Sequence, residues 1–96
     1  MKNKQSLLYL ANLGPEIARM FSFMKSGKES YSIASKNNAL GIISKVLDLE
    51  KSEGAKYELT KIRELIIEEQ EKKDLFYEDQ LIKYCLPFGE QLVRSM

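Results

Sequence analysis

The 96-residue sequence contains no histidine, no tryptophan and a single cysteine, Cys85. Histidine is the commonest metal ligand and the usual general base, and a zinc site needs several cysteine or histidine ligands. Without a histidine, Cys85 or a serine lacks its usual activating partner, although a serine–lysine pair stays open. We therefore predict no metal site, no cofactor and no enzymatic activity, and we interpret Cys85 as a buried structural thiol.

Other features that are scarce narrow the class of protein further. One cysteine cannot form an internal disulfide, which favours a reducing compartment. The five glycines stand apart along the chain, so no glycine-rich phosphate-binding loop is present. The apolar run at residues 7–11 is too short for a signal peptide, and no stretch reaches the length of a membrane span. The expected location is the cytoplasm, with no membrane partner.

Apolar residues recur at steps of three and four in four segments, whereas no sustained period-two alternation is present. That spacing is typical of amphipathic helices. The fold prediction is a single all-α domain spanning residues 1–96, a small bundle of four, possibly five, antiparallel helices with short loops. The predicted helices cover residues 5–25, 28–51, 55–73 and 78–94.

Two prolines and one glycine fall where they could interrupt these helices. Pro15 removes a backbone donor inside the first segment, which predicts a kink or a fresh helix start there. Pro87 predicts a bend or break near Leu86. Gly54 is placed to end the second helix in a left-handed conformation.

Small residues share a face on each of the first two predicted helices. Ala11, Gly14 and Ala18 form one such face, and Ala34 and Gly41, seven residues apart, form the other. One interpretation is that the two faces meet, because small side chains let helix backbones approach closely. The alternative is that each alanine is simply a good helix former.

Charge is balanced over the whole chain, at +1, but not between its halves. Residues 1–48 hold seven Lys/Arg and three Asp/Glu (+4), and residues 49–96 hold eight and eleven (−3). The positive half supports an alternative function as a nucleic-acid-associated accessory protein. Its candidate contact residues are Lys2, Lys4, Lys25, Lys28 and Lys36.

Large apolar side chains are concentrated toward the C-terminal end, more than a small core needs. Aromatic residues are favoured in the buried centre of protein interfaces. The preferred function is therefore non-catalytic protein–protein contact, as an adaptor or regulatory module, with self-association plausible. The candidate partner-binding residues are Phe76, Tyr77, Tyr84, Phe88 and Met96.

Residues 27–51 resemble a tetratricopeptide helix pair at Gly27, Tyr31, Ala39 and Ile43. The Trp-x2-Leu-Gly opening of that repeat is absent, and the period does not recur in residues 52–96. The stretch is therefore interpreted as ordinary helical-hairpin patterning, and membership of that family is not inferred.

Overall fold

A computed structural model describes the backbone of residues 4–94 and the side chains of residues 5–87. Four helices account for most of the described chain, and no strand occurs within it. They are α1 (Lys4–Lys25), α2 (Glu29–Leu49), α3 (Glu53–Lys72) and α4 (Glu78–Arg94). The all-α prediction is confirmed, and a fifth helix is not present in the described residues.

Helix α1 lies at the centre of the fold. Its most extensive contacts are with α2 and then with α4, while α3 packs mainly on α2. This position explains why α1 contributes more buried apolar side chains than any other helix. Their three- and four-residue spacing puts them on adjoining faces of the helix. They are Leu7, Leu10, Leu13, Ile17, Met20 and Phe21.

The remaining helices each supply a narrower apolar stripe to the same core. Helix α2 includes buried serines in its stripe, at Ser32 and Ser35, and α4 contributes few fully buried side chains among those described. The apolar members of this shared core are Ala39, Ile43, Val46, Leu59, Ile66, Leu81 and Cys85.

Neither proline ends its helix, so the predicted helix start or break at these positions is wrong. Helix α1 is continuous across Pro15, and α4 is continuous across Pro87. Both prolines are exposed. On an exposed side of a helix, water can hydrate the carbonyl that loses its hydrogen bond, and the packing of α1 against α4 holds both helices in place.

The boundary between α2 and α3 also differs from the prediction. Gly54 does not end α2, because it lies in the first turn of α3. Helix α2 ends at Leu49, and Ser52 begins the next helix by accepting a hydrogen bond from the backbone N–H of Ala55, at 3.3 Å. An N-cap serine is the stronger local signal here. The left-handed positions are Gly27 and Lys73.

Candidate functional surfaces

The predicted meeting of small-residue faces between α1 and α2 is wrong. A Cβ atom placed at Gly14 would lie 3.1 Å from the Cβ atom of Cys85 on α4, whereas one placed at Gly41 would have no neighbour within 4 Å. Ala34 is exposed as well. The small residues of α1 therefore accommodate α4, and those of α2 leave an open surface.

Beside that close approach, α1 and α4 form a shallow groove of about 320 Å³. We call it the α1–α4 groove. Among the described side chains, its lining carries no charge, and the thiol of Cys85 is the only polar side-chain group in that part of the lining. The lining residues are Ala11, Gly14, Pro15, Ala18, Ile82, Cys85 and Leu86.

Leucine side chains stand out beside this groove. Leu86, on the α4 rim, is 58% exposed. Leu8 is 50% exposed, and it lies one helical turn before Ala11 on the same side of α1. The surface thus combines protruding apolar side chains with a floor of small residues. Exposed apolar patches of this kind are typical of protein contact sites.

Cys85 is not placed to act as a nucleophile. It is 4% exposed, and burial raises the pKa of its thiol to about 12. A thiol in such a setting stays protonated at neutral pH and is chemically inert. These observations agree with the interpretation of Cys85 as a structural core residue.

The predicted aromatic partner-binding residues do not form one exposed patch among the described side chains. Phe76, in the connection between α3 and α4, is 75% exposed. Its ring contacts that of Tyr77 edge-on, with centroids 4.8 Å apart. Tyr77 and Tyr84 are half-buried and pack against the core. The side chains of Phe88 and Met96 lie outside the described residues.

Tyr84 interacts with Glu58 on the neighbouring helix α3. Burial is the main cause that raises the pKa of its phenol, and the negative charge of Glu58 and a hydrogen bond with that carboxylate raise it further. A half-buried tyrosine that keeps its hydroxyl bonded within the fold is typical of a packing residue. The structure thus favours a core role for Tyr84 and an exposed position for Phe76.

The predicted nucleic-acid residues are separated along α1. Lys4 and Lys25 are the first and last residues of this 22-residue helix, so their backbones lie about 30 Å apart. Lys4 therefore lies at the opposite end of α1 from Lys25 and Lys28. The ammonium of Lys25 pairs with Glu78 at 2.7 Å. Lys36 is half-buried, and Lys2 lies outside the described residues.

A second groove, the α1–α2 groove, has a polar lining and a volume of about 460 Å³. Sequence reasoning did not identify it as a site, although Arg19, Lys45 and all three of its asparagines belong to the positive half. Its lining is rich in amide and cationic side chains. The lining residues are Asn12, Pro15, Glu16, Arg19, Asn37, Asn38, Gly41, Ile42 and Lys45.

Glu16 is the most unusual residue of the α1–α2 groove. It is 9% exposed, and its Oε1 accepts a hydrogen bond from Arg19. Its Oε2 is buried and has no hydrogen-bond partner. Glu16 lies three residues after Leu13 and four before Met20, on the spacing of the core stripe. An acidic residue at apolar spacing was the signal in the sequence that could have identified it.

Each of the two helices supplies a cation to the lining of this groove. The Arg19 side chain is 59% exposed, so it partly covers Glu16 while it remains open to solvent. On α2, the ammonium of Lys45 lies 5.5 Å from the centre of the Tyr9 ring, within the range of a cation–π contact. The Nδ2 of Asn12 donates to the backbone carbonyl of Leu8. The groove therefore offers cations, a carboxylate and amides within one concave surface.

A second buried carboxylate, Glu69 on α3, has a structural role. It is 3% exposed and accepts a hydrogen bond from the backbone N–H of Tyr77, at 3.3 Å, just before α4 begins. The next residue, Gln70, donates to Ser32 on α2 at 3.4 Å. These contacts fix the connection between α3 and α4 to the rest of the bundle.

We expect Glu69→Gln to make stability less dependent on pH. Burial is the largest cause that raises the pKa of Glu69 above its ordinary value of 4.5. A raised folded-state pKa gives a contribution that is complete below about pH 4.5 and is lost as pH rises through the folded value. The glutamine variant should therefore gain stability relative to the native chain between pH 4 and pH 7.

Urea unfolding at the two pH values measures this difference. Glu71→Gln serves as the control, because Glu71 is exposed and lies two residues after Glu69, on the other side of α3. The prediction is contradicted if the difference in unfolding free energy between the variant and the native chain is the same at both pH values. It is also contradicted if that difference favours the variant more at the acidic pH.

Among the described side chains, no group of three acidic, cysteine or histidine residues lies close enough together to hold a metal ion. Within the same part of the chain, no helix has the length and apolarity needed to cross a membrane. No known protein family matches the sequence, and comparison with curated proteins and with solved structures finds no match either.

Proposed function

We propose that this protein is a non-catalytic binding module that acts through protein–protein contact at the α1–α4 groove. The observation that carries the proposal is an uncharged concave surface with a small-residue floor at Gly14 and Ala18 and a protruding leucine at its rim. A helix whose apolar side chains enter such a groove gains burial without desolvating a charge.

The occupant that we propose is the same surface of a second copy. Leu8 and Leu86 supply protruding side chains, and Gly14 and Ala18 supply the depressions that can receive them. A surface that holds both kinds of feature is self-complementary, which a two-fold symmetric dimer requires. The small core of one chain also gains from shared apolar surface.

We also propose that sequential helices of the bundle are antiparallel neighbours. Two ion pairs support that arrangement. Lys25, at the end of α1, pairs with Glu78, at the start of α4, at 2.7 Å. Lys73, just after α3, lies 3.8 Å from Glu29, at the start of α2.

We propose the cytoplasm as the location.

We expect Leu86→Glu to convert the dimer into a monomer. The substitution adds a charge that would be buried without a partner in the contact, and such a charge is costly. Leu86 is more than half exposed in the single chain, so the fold should tolerate the change. Sedimentation equilibrium across a concentration series, at low salt, gives the mass of native and variant chains.

Two controls separate this contact surface from others. Tyr57→Glu changes a side chain that is 66% exposed on α3, outside the groove, and should leave the dimer intact. Phe76→Ala tests the exposed aromatic connection. A native chain that is monomeric at about 100 µM, well above the micromolar constants of many stable contacts, would overturn the proposal. A dimer lost with Phe76→Ala but kept with Leu86→Glu would overturn it as well.

A second candidate function, nucleic-acid association, is supported by a different observation. Arg19, Asn37, Asn38 and Lys45 come from the positive half of the chain and line one groove. Retention on single-stranded RNA that falls steeply with salt is the expected signature. Binding that does not change with salt would contradict this candidate.

A further inference from the structure

The buried Oε2 of Glu16 needs a physical explanation. A buried polar atom without a partner is destabilising relative to a bonded one, and such atoms are few in folded proteins. Glu16 also lies in the wall of an open groove rather than in the closed core. In the wall of a groove, such an atom is a position at which a bound molecule can supply the hydrogen-bond donor.

The other residues of the groove define what else that ligand carries. Arg19 and Lys45 present positive charge, which favours an anionic group. Asn37 and Asn38 are exposed, and their amides both donate and accept hydrogen bonds. The ligand should therefore join an anion to a polar portion with N–H donors.

The size of the groove selects among molecules with that chemistry. Its volume, about 460 Å³, lies in the range typical of small-molecule and cofactor sites. A free amino acid would fill only a small part of it. A nucleotide supplies a phosphate, N–H donors on its base and a suitable size in one molecule.

We propose that the α1–α2 groove binds a nucleotide, with the phosphate on Arg19 and Lys45 and the N–H donors of the base on Glu16. The proposal rests on the second candidate function and gives it a site. A guanine base fits this site best, because its adjacent ring and amino N–H groups match the two oxygens of one carboxylate. The nucleotide is either free or part of a single strand, since both present this chemistry.

Arg19 has to change partners for this to occur. In the structure it donates to Glu16 and partly covers the carboxylate. Its exposed side chain can turn toward an incoming phosphate, which frees the carboxylate for the base. Arginine binds phosphate and carboxylate through the same planar set of donors, so the exchange replaces one charge-assisted contact with another. Glu16 then gains a partner for the oxygen that has none.

Calorimetric titration of the full chain tests the site. The probes are guanosine monophosphate, the other three ribonucleoside monophosphates, guanosine, inorganic phosphate, a single-stranded RNA and an acidic peptide. We expect guanosine monophosphate to bind most tightly among the monophosphates. Glu16→Gln keeps the size of the side chain but replaces an acceptor oxygen with a donor. It should weaken this binding about tenfold or more, while the binding of inorganic phosphate becomes no weaker, because Arg19 loses the carboxylate that competes for it.

Two lysine variants are compared, one inside the groove as the test and one outside it as the matched control. Lys45→Ala removes the ammonium near Tyr9 and should weaken the binding of guanosine monophosphate but not of guanosine. Lys61→Ala removes a similar ammonium, 5.4 Å from the centre of the Tyr57 ring on α3, outside the groove. It should have no effect on either probe. Circular dichroism of each variant establishes that the helices remain folded.

The remaining outcomes separate the two nucleotide sources and the competing explanations. RNA binding that Glu16→Gln weakens supports the site with a strand as its ligand, and mononucleotide binding supports a free ligand. Absence of binding of guanosine monophosphate and of RNA at millimolar concentration overturns the inference. Tighter binding of the acidic peptide overturns it as well. RNA binding that Glu16→Gln leaves unchanged, but that loss of Lys25 and Lys28 abolishes, overturns the inference and keeps the second candidate function.

Discussion

Replacing Phe21 with alanine should cost about 3–5 kcal/mol of unfolding free energy, the range measured for deletion of a buried phenylalanine ring. Phe21 is fully buried and is the largest completely buried side chain described. It lies on α1, the helix that both α2 and α4 pack against. Small domains are typically stable by only about 5–15 kcal/mol, so this one change should remove much of the margin.

Phe76→Ala is the matched control for that measurement, because it removes the same ring from a position that is 75% exposed. We expect a change of no more than about 0.5 kcal/mol, as for most surface substitutions. Urea unfolding followed by circular dichroism measures both variants. Equal losses would show that the ring of Phe76 is also buried, against its position in the structure.

The second large effect should come from a pair of glycines. Gly14→Leu should lower the unfolding free energy by about 1–3 kcal/mol, because overpacking a tight contact costs that much. A Cβ atom at Gly14 already approaches Cys85 to 3.1 Å, and a leucine adds three further carbon atoms. Thermal unfolding of the variant measures the loss.

Gly41→Leu, the same substitution on α2, should be neutral or stabilising by up to about 1 kcal/mol. Leucine is a better helix former than glycine, and the site has no neighbour within 4 Å of a new Cβ atom. If Gly41→Leu is destabilising and Gly14→Leu has no effect, the result supports the contact between α1 and α2 that the sequence predicted.

The sequence alone determined the all-helical fold class. Helical periodicity is local, since each residue's face is fixed by neighbours three and four positions away. The absence of histidine is likewise a property of the sequence itself. For the same reason the four helices begin and end within a few residues of the predicted positions.

Local spacing failed where two weak signals competed. At the α2–α3 connection, the glycine at position 54 predicted a helix end, but the side chain of Ser52 caps the next helix, which begins at Glu53, two residues earlier than expected. Pro15 predicted a break, yet α1 continues because it is packed on both sides. In both cases a gain from capping or packing outweighs a local preference of about 1–3 kcal/mol.

Only the tertiary structure decided which faces meet. Gly14 could have faced α2 or α4 at the same helical spacing, and the choice depends on how whole helices fit together over long separations in sequence. That fit brings Cys85 against Gly14, leaves Gly41 open, and gathers Glu16, Arg19 and Lys45 into one groove from residues up to 29 positions apart. The sequence determined the helices and excluded histidine chemistry, while their packing determined the two grooves, because a groove exists only between helices.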